Sequence, residues 1–111
     1  MKLQKGDIVI VPVPFTDNIG YKLRPAVVVS NETVHRTGDV MIVQITSKQK
    51  HDKLSIALST NDVTESLPVK SFIRIHKIFV LEQHLIKGKV SSLKKNKYTE
   101  LIKKIKDIIE P

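Results

Sequence analysis

Two arginines, a threonine and a histidine lie at the ends of predicted strands, and together they suit one kind of chemistry. Arg24 precedes Pro25 and a run of valines, Thr46 ends the longest apolar run, and Arg74 and His76 lie two residues apart. Guanidinium groups bind a phosphate and stabilise the charge that develops on it, and a hydroxyl can bond a phosphate oxygen. A neutral imidazole can accept the proton of a ribose 2′-hydroxyl at neutral pH. The set therefore favours attack of a 2′-hydroxyl on the adjacent phosphodiester, which needs no metal ion.

Each of these residues also has a purely structural interpretation. Arg24 can cover the end of a sheet with its alkyl stem, and Thr46 can begin a turn with Ser47. Arg74 and His76 can be the outward positions of a half-exposed strand, because residues two apart on a strand share a face. The prediction of a reaction therefore depends on the whole set.

Other common chemistries lack their motifs in this sequence. The four histidines share no metal-ligand spacing with a carboxylate or with one another, so we predict no metal site. There is no glycine-rich phosphate loop and no nucleophile elbow, and we expect no cofactor. The absence of cysteine excludes a disulfide scaffold and a thiolate metal site, and it fits a reducing compartment.

Length and composition indicate one globular domain, residues 1–111. Hydrophobic residues make up 41% of the chain and charged residues 27%, which is typical of a folded protein. The sequence has no signal-peptide pattern and no apolar stretch that predicts a membrane span, so we expect a cytoplasmic location.

The positive charge is concentrated near the C-terminus. The net charge is +8, and the segment 84–111 has eight lysines against three acidic residues. A basic surface suits a phosphate backbone or an acidic protein partner. The alternative is a solvated helix face that keeps a small protein soluble.

Short β-branched runs predict the strands that position the candidate residues. Pro12 and Pro14 end the first strand or make it an edge. The segments 15–24 and 47–53 are predicted loops, and a bend is expected near His76. The predicted strands are 8–11, 26–30, 40–46, 54–58 and two within 69–81, with a short turn and a further strand within 82–93.

The last segment changes to a helical period. From Asn96 to Ile109 the apolar residues follow the i, i+3, i+4, i+7 pattern, and Asn96 is the predicted N-cap. Several short strands followed by one amphipathic helix predict a mainly β, α+β fold. We expect a small antiparallel barrel over about 6–93 with a C-terminal helix over about 96–109.

Several blocks of the sequence resemble the MazF/PemK family of toxins, and the resemblance covers nearly the whole chain. The most specific block is K-x-R-P, at the start of residues 22–30. The matching blocks are GDIV at 6–9, PFTD at 14–17, KLRPAVVVS at 22–30, the strand ending in Thr46 and Ser47, SFIRIHKIFVL at 71–81, and the end of the chain from Leu85.

The resemblance implies an SH3-like barrel with a C-terminal helix, usually a homodimer. It implies a metal-independent endoribonuclease that cuts single-stranded RNA, often messenger RNA, at short sequences. The products would carry 2′,3′-cyclic phosphate and 5′-hydroxyl ends. It also implies an antitoxin partner, whose acidic, poorly ordered segment covers the RNA groove.

The family's functional residues carry over to this chain in part. Arg24 matches the catalytic arginine, Thr46 matches the catalytic threonine, and Arg74 matches an arginine that some members use. His76 stands where those members have an aspartate proposed as the base, and a histidine can do that work at neutral pH. The predicted RNA-binding residues are Tyr21, which could stack on a base, and Lys22, Ser47, Lys48 and Lys77.

The chain also departs from the family pattern. Segment 18–23 has neither the glutamate nor the histidine that other members carry ahead of R-P, and Phe79 replaces a second arginine of the third block. These departures leave the identity of the general base open. Two alternatives follow: a non-enzymatic toxin that binds a protein such as DNA gyrase through the C-terminal helix, as the related CcdB proteins do, and an RNA-binding barrel without catalysis.

Overall fold

The structure, a computed structural model, describes residues 2–15, 17 and 19–111. Its strands are β1 (Asp7–Pro14), β2 (Tyr21–Val28), β3 (Asp39–Thr46), β4 (Ser55–Leu58), β5 (Ser71–Glu82) and β6 (Gly88–Ser92). The helices are α1 (Glu32–His35) and α2 (Lys95–Ile109), with 3-10 turns at Thr60–Asp62 and Gln83–Leu85. The strands form one antiparallel sheet in the order β4-β5-β3-β2-β1-β6.

Both faces of the central strands are buried, which explains their nearly continuous apolar sequences. Successive side chains of a strand point to opposite faces, so Val27 and Val28 belong to different cores. The helix-side core contains Ile8, Val27, Val43, Ile45, Ile56, Val63, Ile73, Ile75, Leu93, Leu101 and Ile105. The second core contains Leu3, Val9, Val11, Val13, Ala26, Val28, Val40 and Ile42.

The predicted mainly β fold with a C-terminal helix is confirmed, although the barrel is not closed. In the part of the chain that the structure describes, β4 and β6 are the two ends of the sheet. The gap between them is spanned by the segment after β4, where an isolated bridge joins Val63 to Leu93. This segment contains the 3-10 turn Thr60–Asp62, which prevents a regular ladder.

The first hairpin is longer than predicted. β1 continues through Pro12 and Pro14, which pair with β2. On its other side, β1 pairs with β6 only from Asp7 to Ile10. The prolines therefore lie where β1 is an edge, and an edge tolerates residues that lack a backbone N–H. β2 begins at Tyr21 and ends at Val28, so it includes the last four residues of the predicted loop 15–24.

Consequently, Tyr21, Lys22 and Arg24 are strand residues. Two residues of the predicted loop 15–24 lie outside the described residues. They are Thr16, which is part of the PFTD block, and Asn18, which follows that block.

The other predicted strands lie within a few residues of their expected positions. β5 is one continuous strand, and its predicted bend is a register shift: Val43 pairs with Ile78, whereas Ile45 pairs with Ile73. The residues between these pairs, 74–77, bulge away from β3.

The amphipathic helix is confirmed, with a different N-cap. α2 begins at Lys95 because Lys94, whose N–H donates to the carbonyl of Asp62, holds an extended conformation one residue earlier. Leu101 and Ile105 of α2 are buried in the helix-side core. In the described residues, no helix is both long enough and apolar enough to cross a membrane.

Candidate functional site

An open groove of about 680 Å³ lies at one end of the second core. Its polar lining comes from Arg24, Gln44, Lys48 and Lys77. Its apolar lining is formed by Pro12, Val13, Pro14, Phe15, Phe79, Val80 and Leu81. None of the described residues that line it carries a carboxylate, so we call it the Arg24 groove and expect it to attract anions.

Alternation along the strands brings the polar residues to this groove. Arg24 shares a face with Ala26 and Val28, which lie in the second core. Ala26 pairs with Gln44 across the β2–β3 ladder. Phe79 pairs with Ile42 on the next strand. The groove therefore begins where the apolar residues of the second core give way to polar ones.

Thr46 is the last residue of β3, between the lining residues Gln44 and Lys48 in sequence, and does not itself line the groove. Ala26 of β2 pairs with Gln44 of β3. Because the strands are antiparallel, extending this register by two residues places Arg24 of β2 opposite Thr46 of β3. Thr46 is half-buried, and its Oγ1 accepts a hydrogen bond of 3.2 Å from the backbone N–H of Lys48. Its hydroxyl therefore ends the strand and starts the loop 47–53.

The structure gives Arg74 partners that the sequence did not predict. Nη1 and Nη2 each donate to one carboxylate oxygen of Asp52 at 2.9 Å, and Nη1 also donates to Oγ of Ser55 at 2.9 Å. This bonding holds the pKa of Asp52 far below its usual range and raises that of Arg74. Arg74 is buried and is not in the lining of the Arg24 groove. Its guanidinium, predicted as a second phosphate-binding cation, is therefore engaged by protein groups outside the groove.

His76 is exposed in the bulge of β5, beside the groove residue Lys77. Partial desolvation lowers the pKa of His76 below its ordinary 6.5, and the positive charges of Arg74 and Lys77 lower it further, against an opposing effect of Asp52. At neutral pH the imidazole is therefore mostly uncharged and can accept a proton.

The structure places two of the five predicted RNA-binding residues in the groove lining and the other three outside it. Lys48 and Lys77 are part of its lining. Tyr21 and Lys22 are exposed at the start of β2, paired with the lining residues Pro14 and Val13. The exposed Ser47 precedes Lys48 in the loop 47–53.

Three residues of this region are not predicted from the sequence. Gln44 carries a signal in retrospect, since it is the one polar side chain inside the apolar run of β3. The sequence distinguishes Phe79 only by its departure from a family pattern, whereas in the structure it forms part of the groove wall. Asp52 had no signal, because its partner Arg74 is 22 residues away.

Two of the four histidines have partners away from the groove. Nε2 of His35 lies 2.8 Å from Oγ of Ser30, and Nδ1 of His84 lies 3.3 Å from a carboxylate oxygen of Glu82. The described residues contain no group of three histidine or acidic side chains placed to hold a metal ion.

The fold and the Arg24 groove together define the class of this protein. It is a small β-rich protein with one antiparallel sheet, a C-terminal helix packed on that sheet, and a basic groove at one end of the second core. The sequence matches the family of PemK-like, MazF-like toxins of type II toxin–antitoxin systems over residues 4–109. The chain belongs to this family. A comparison with curated proteins finds no match.

Solved structures of such toxins share the fold. An endoribonuclease in complex with its cognate antitoxin, from a mycobacterial species, superposes with a TM-score of 0.78 at 17% identity, covering 99% of this chain and 98% of that one. A MazE–MazF complex from Deinococcus radiodurans gives a TM-score of 0.78 at 19% identity, with coverages of 96% and 95%. The Mycobacterium tuberculosis toxin MazF-mt6 gives 0.70 at 14%, with coverages of 92% and 96%.

Proposed function

We propose that this toxin is a metal-independent endoribonuclease that cleaves single-stranded RNA, including messenger RNA, at short sequences. The observation that carries the proposal is the Arg24 groove, where cations from three separate segments meet and no lining carboxylate opposes them. An open groove with such a lining suits a flexible phosphodiester chain.

In the proposed reaction, the 2′-hydroxyl oxygen attacks the adjacent phosphorus while His76 accepts the hydroxyl proton. The bond from phosphorus to the 5′-oxygen breaks, the leaving oxygen takes up a proton from solvent water, and the products are a 2′,3′-cyclic phosphate and a 5′-hydroxyl. Arg24 stabilises the extra negative charge on the phosphoryl oxygens in the transition state. Thr46 donates a hydrogen bond to the scissile phosphate.

The surrounding residues bind the rest of the RNA. Lys48 and Lys77 line the groove and contact flanking phosphates. Lys22 and Ser47 extend this surface along the strand ends, and Tyr21, with 60% of its surface exposed, stacks on a base.

The proposal includes two protein partners and a cytoplasmic location. An acidic antitoxin segment complements the +8 chain and would compete with RNA for the groove. A second copy of the chain would cover apolar side chains of the first hairpin, since Phe15, Ile19 and Leu23 are between 45% and 75% exposed.

The direct test is cleavage of a long single-stranded RNA in EDTA, with the 5′ ends of the products mapped. We expect discrete cuts with 5′-hydroxyl ends from the wild type and strongly reduced cutting by Arg24→Ala. Arg36→Ala is the matched control, because Arg36 is exposed beyond α1 and pairs only loosely with Glu32 at 3.9 Å. A folded wild-type protein that makes no cuts would contradict the proposal and favour a toxin that acts by binding.

A further inference from the structure

We propose that Asp52 is a positioning residue for RNA binding: through its bonds to Arg74 it fixes the loop 47–53 and holds Lys48 in the Arg24 groove. The inference deepens the proposed function and rests on it. It assigns a role to Asp52, whose carboxylate lies outside the groove. It also changes the role of Arg74: instead of binding a phosphate, Arg74 holds Asp52 and thereby the loop 47–53.

The first support is the geometry of the ion pair. The guanidinium donates to both carboxylate oxygens at 2.9 Å, which is the bidentate arrangement with the narrowest choice of orientations. Arg74 is fixed in turn, because its side chain is 10% exposed and also bonds Ser55 of β4. Asp52, a loop residue whose side chain is 42% exposed, is therefore bound to Arg74, a buried residue of the sheet.

The second support is that hydrogen bonds hold the loop 47–53 at both of its ends. At its start, Thr46 accepts a bond from the N–H of Lys48. At its end, Oδ1 of Asp52 accepts a bond of 3.1 Å from the N–H of Leu54, whose carbonyl accepts one of 3.0 Å from Ile75. Lys53, between the fastened residues, has a left-handed φ of 65°, which a lysine keeps only where its surroundings hold it.

The third support is the charge pattern of the loop. Asp52 is its one acidic residue, among the basic residues Lys48, Lys50 and Lys53. A free carboxylate there would repel RNA and could pair with these lysines. The bonds to Arg74 neutralise it and leave Lys48, which lines the Arg24 groove, available for a phosphate.

This arrangement can be tested because simple electrostatics predicts the opposite result. If Asp52 acted only through its negative charge, Asp52→Asn would bind RNA more tightly. If it positions Lys48, Asp52→Asn should bind about threefold to tenfold more weakly, as expected when roughly one phosphate contact is lost. The probe is a fluorescein-labelled oligouridine, fully 2′-O-methylated so that it cannot be cleaved, and the measurement is fluorescence anisotropy at several salt concentrations.

A double-mutant cycle identifies the contact through which Asp52 acts. Lys48→Gln should weaken binding to a similar extent, and the double variant Asp52→Asn/Lys48→Gln should be no weaker than Lys48→Gln alone. Ser55→Ala, which removes only one bond to Arg74, should give a smaller effect in the same direction. Asp62→Asn is the matched control, because this partly buried carboxylate bonds Ser59 and Lys97 and does not line the groove.

Two outcomes would overturn the inference. One is binding by a folded Asp52→Asn that equals or exceeds that of the wild type, and the other is full additivity with Lys48→Gln. If the wild type still cleaves RNA in either case, the proposed function survives and only the positioning role is lost. A wild type that neither binds the probe nor cleaves RNA would overturn both.

Discussion

Arg24 on β2 is the register partner of Val11 on β1, so a cation that lines an open groove and a side chain with no exposed surface share one face of the sheet. Directly opposite residues of an antiparallel pair project to the same side. The buried strand pair therefore holds the backbone of Arg24 in place while its guanidinium remains accessible from the groove.

Arg24 should contribute through both its charge and its shape. We expect Arg24→Ala to lower the cleavage rate by about 100-fold to 1000-fold, the usual effect of removing one preorganised stabiliser of transition-state charge. Arg24→Lys keeps the charge but loses the planar fork, so its rate should fall between those of the wild type and Arg24→Ala. Single-turnover cleavage of one RNA by all three proteins measures this order, and equal rates for Arg24→Lys and the wild type would contradict it.

The pH dependence of cleavage should report His76. Its pKa is lowered below 6.5, so the uncharged base is already the main form at pH 7. The rate should therefore rise with pH below 6.5 and level off above it, and His76→Gln should lose this rise together with most of the activity.

Two neighbours of His76 should move that pKa in opposite directions. Asp52→Asn should lower it, because the carboxylate favours the charged imidazole, and Lys77→Gln should raise it. An NMR titration of His76 measures both shifts without requiring activity. Shifts of the same sign in the two variants would show that Asp52 and Lys77 do not act on the imidazole through their opposite charges.

Binding should depend on salt through the groove lysines. Lys77→Gln should reduce the slope of log affinity against log salt by about 0.7, the value expected for one contact to a single-stranded phosphate chain. Lys104→Gln is the control, since Lys104 is exposed on α2 and does not line the groove. Equal slopes for the two variants would indicate binding by overall charge rather than at the groove.

Asp52 should also contribute to stability in acid. Its folded pKa lies far below 3.8, so the stability it supplies is present above that value and is lost as the pH falls toward the folded pKa. Between about pH 4 and about pH 2, the urea midpoint of the wild type should fall more steeply than that of Asp52→Asn. Parallel curves for the two proteins would contradict this linkage.

The docking of α2 should depend on Leu101. This side chain has no exposed surface in the helix-side core, so Leu101→Ala should lower the free energy of unfolding by about 2–5 kcal/mol. Ile109→Ala provides the control, because Ile109 is 70% exposed and should change stability little. Urea unfolding followed by circular dichroism compares the two.

The sequence predicts the strands best where burial alone decides them. The apolar run from Val40 to Ile45 identifies β3, because its side chains point alternately into the two cores. The apolar residues after Lys95 identify α2, because they recur at helical spacing on the side that faces the core. The start of β2 is not predictable from the sequence, because Tyr21, Lys22 and Leu23 are exposed and only their pairing with β1 makes them a strand.

The candidate site was predicted in part for similar reasons. Arg24, Lys48 and Lys77 could be recognised by residue type and position, and they line one groove. The partner of Arg74 could not be predicted, because a lone aspartate in a polar loop has no periodicity, and its bond depends on where β4 and β5 bring that loop.

The pairing of β1 with β6 has a consequence for when the protein can begin to act. Oδ1 of Asp7 accepts a hydrogen bond from Ser92, a residue 85 positions later in the chain. A contact between residues so far apart can form only after all of the chain between them has been synthesised, and it closes a long loop at a cost in entropy. On the ribosome, the sheet cannot be completed until β6 has emerged from the exit tunnel. A ribonuclease built this way could therefore not act on the message that encodes it before the ribosome has synthesised the chain through Ser92.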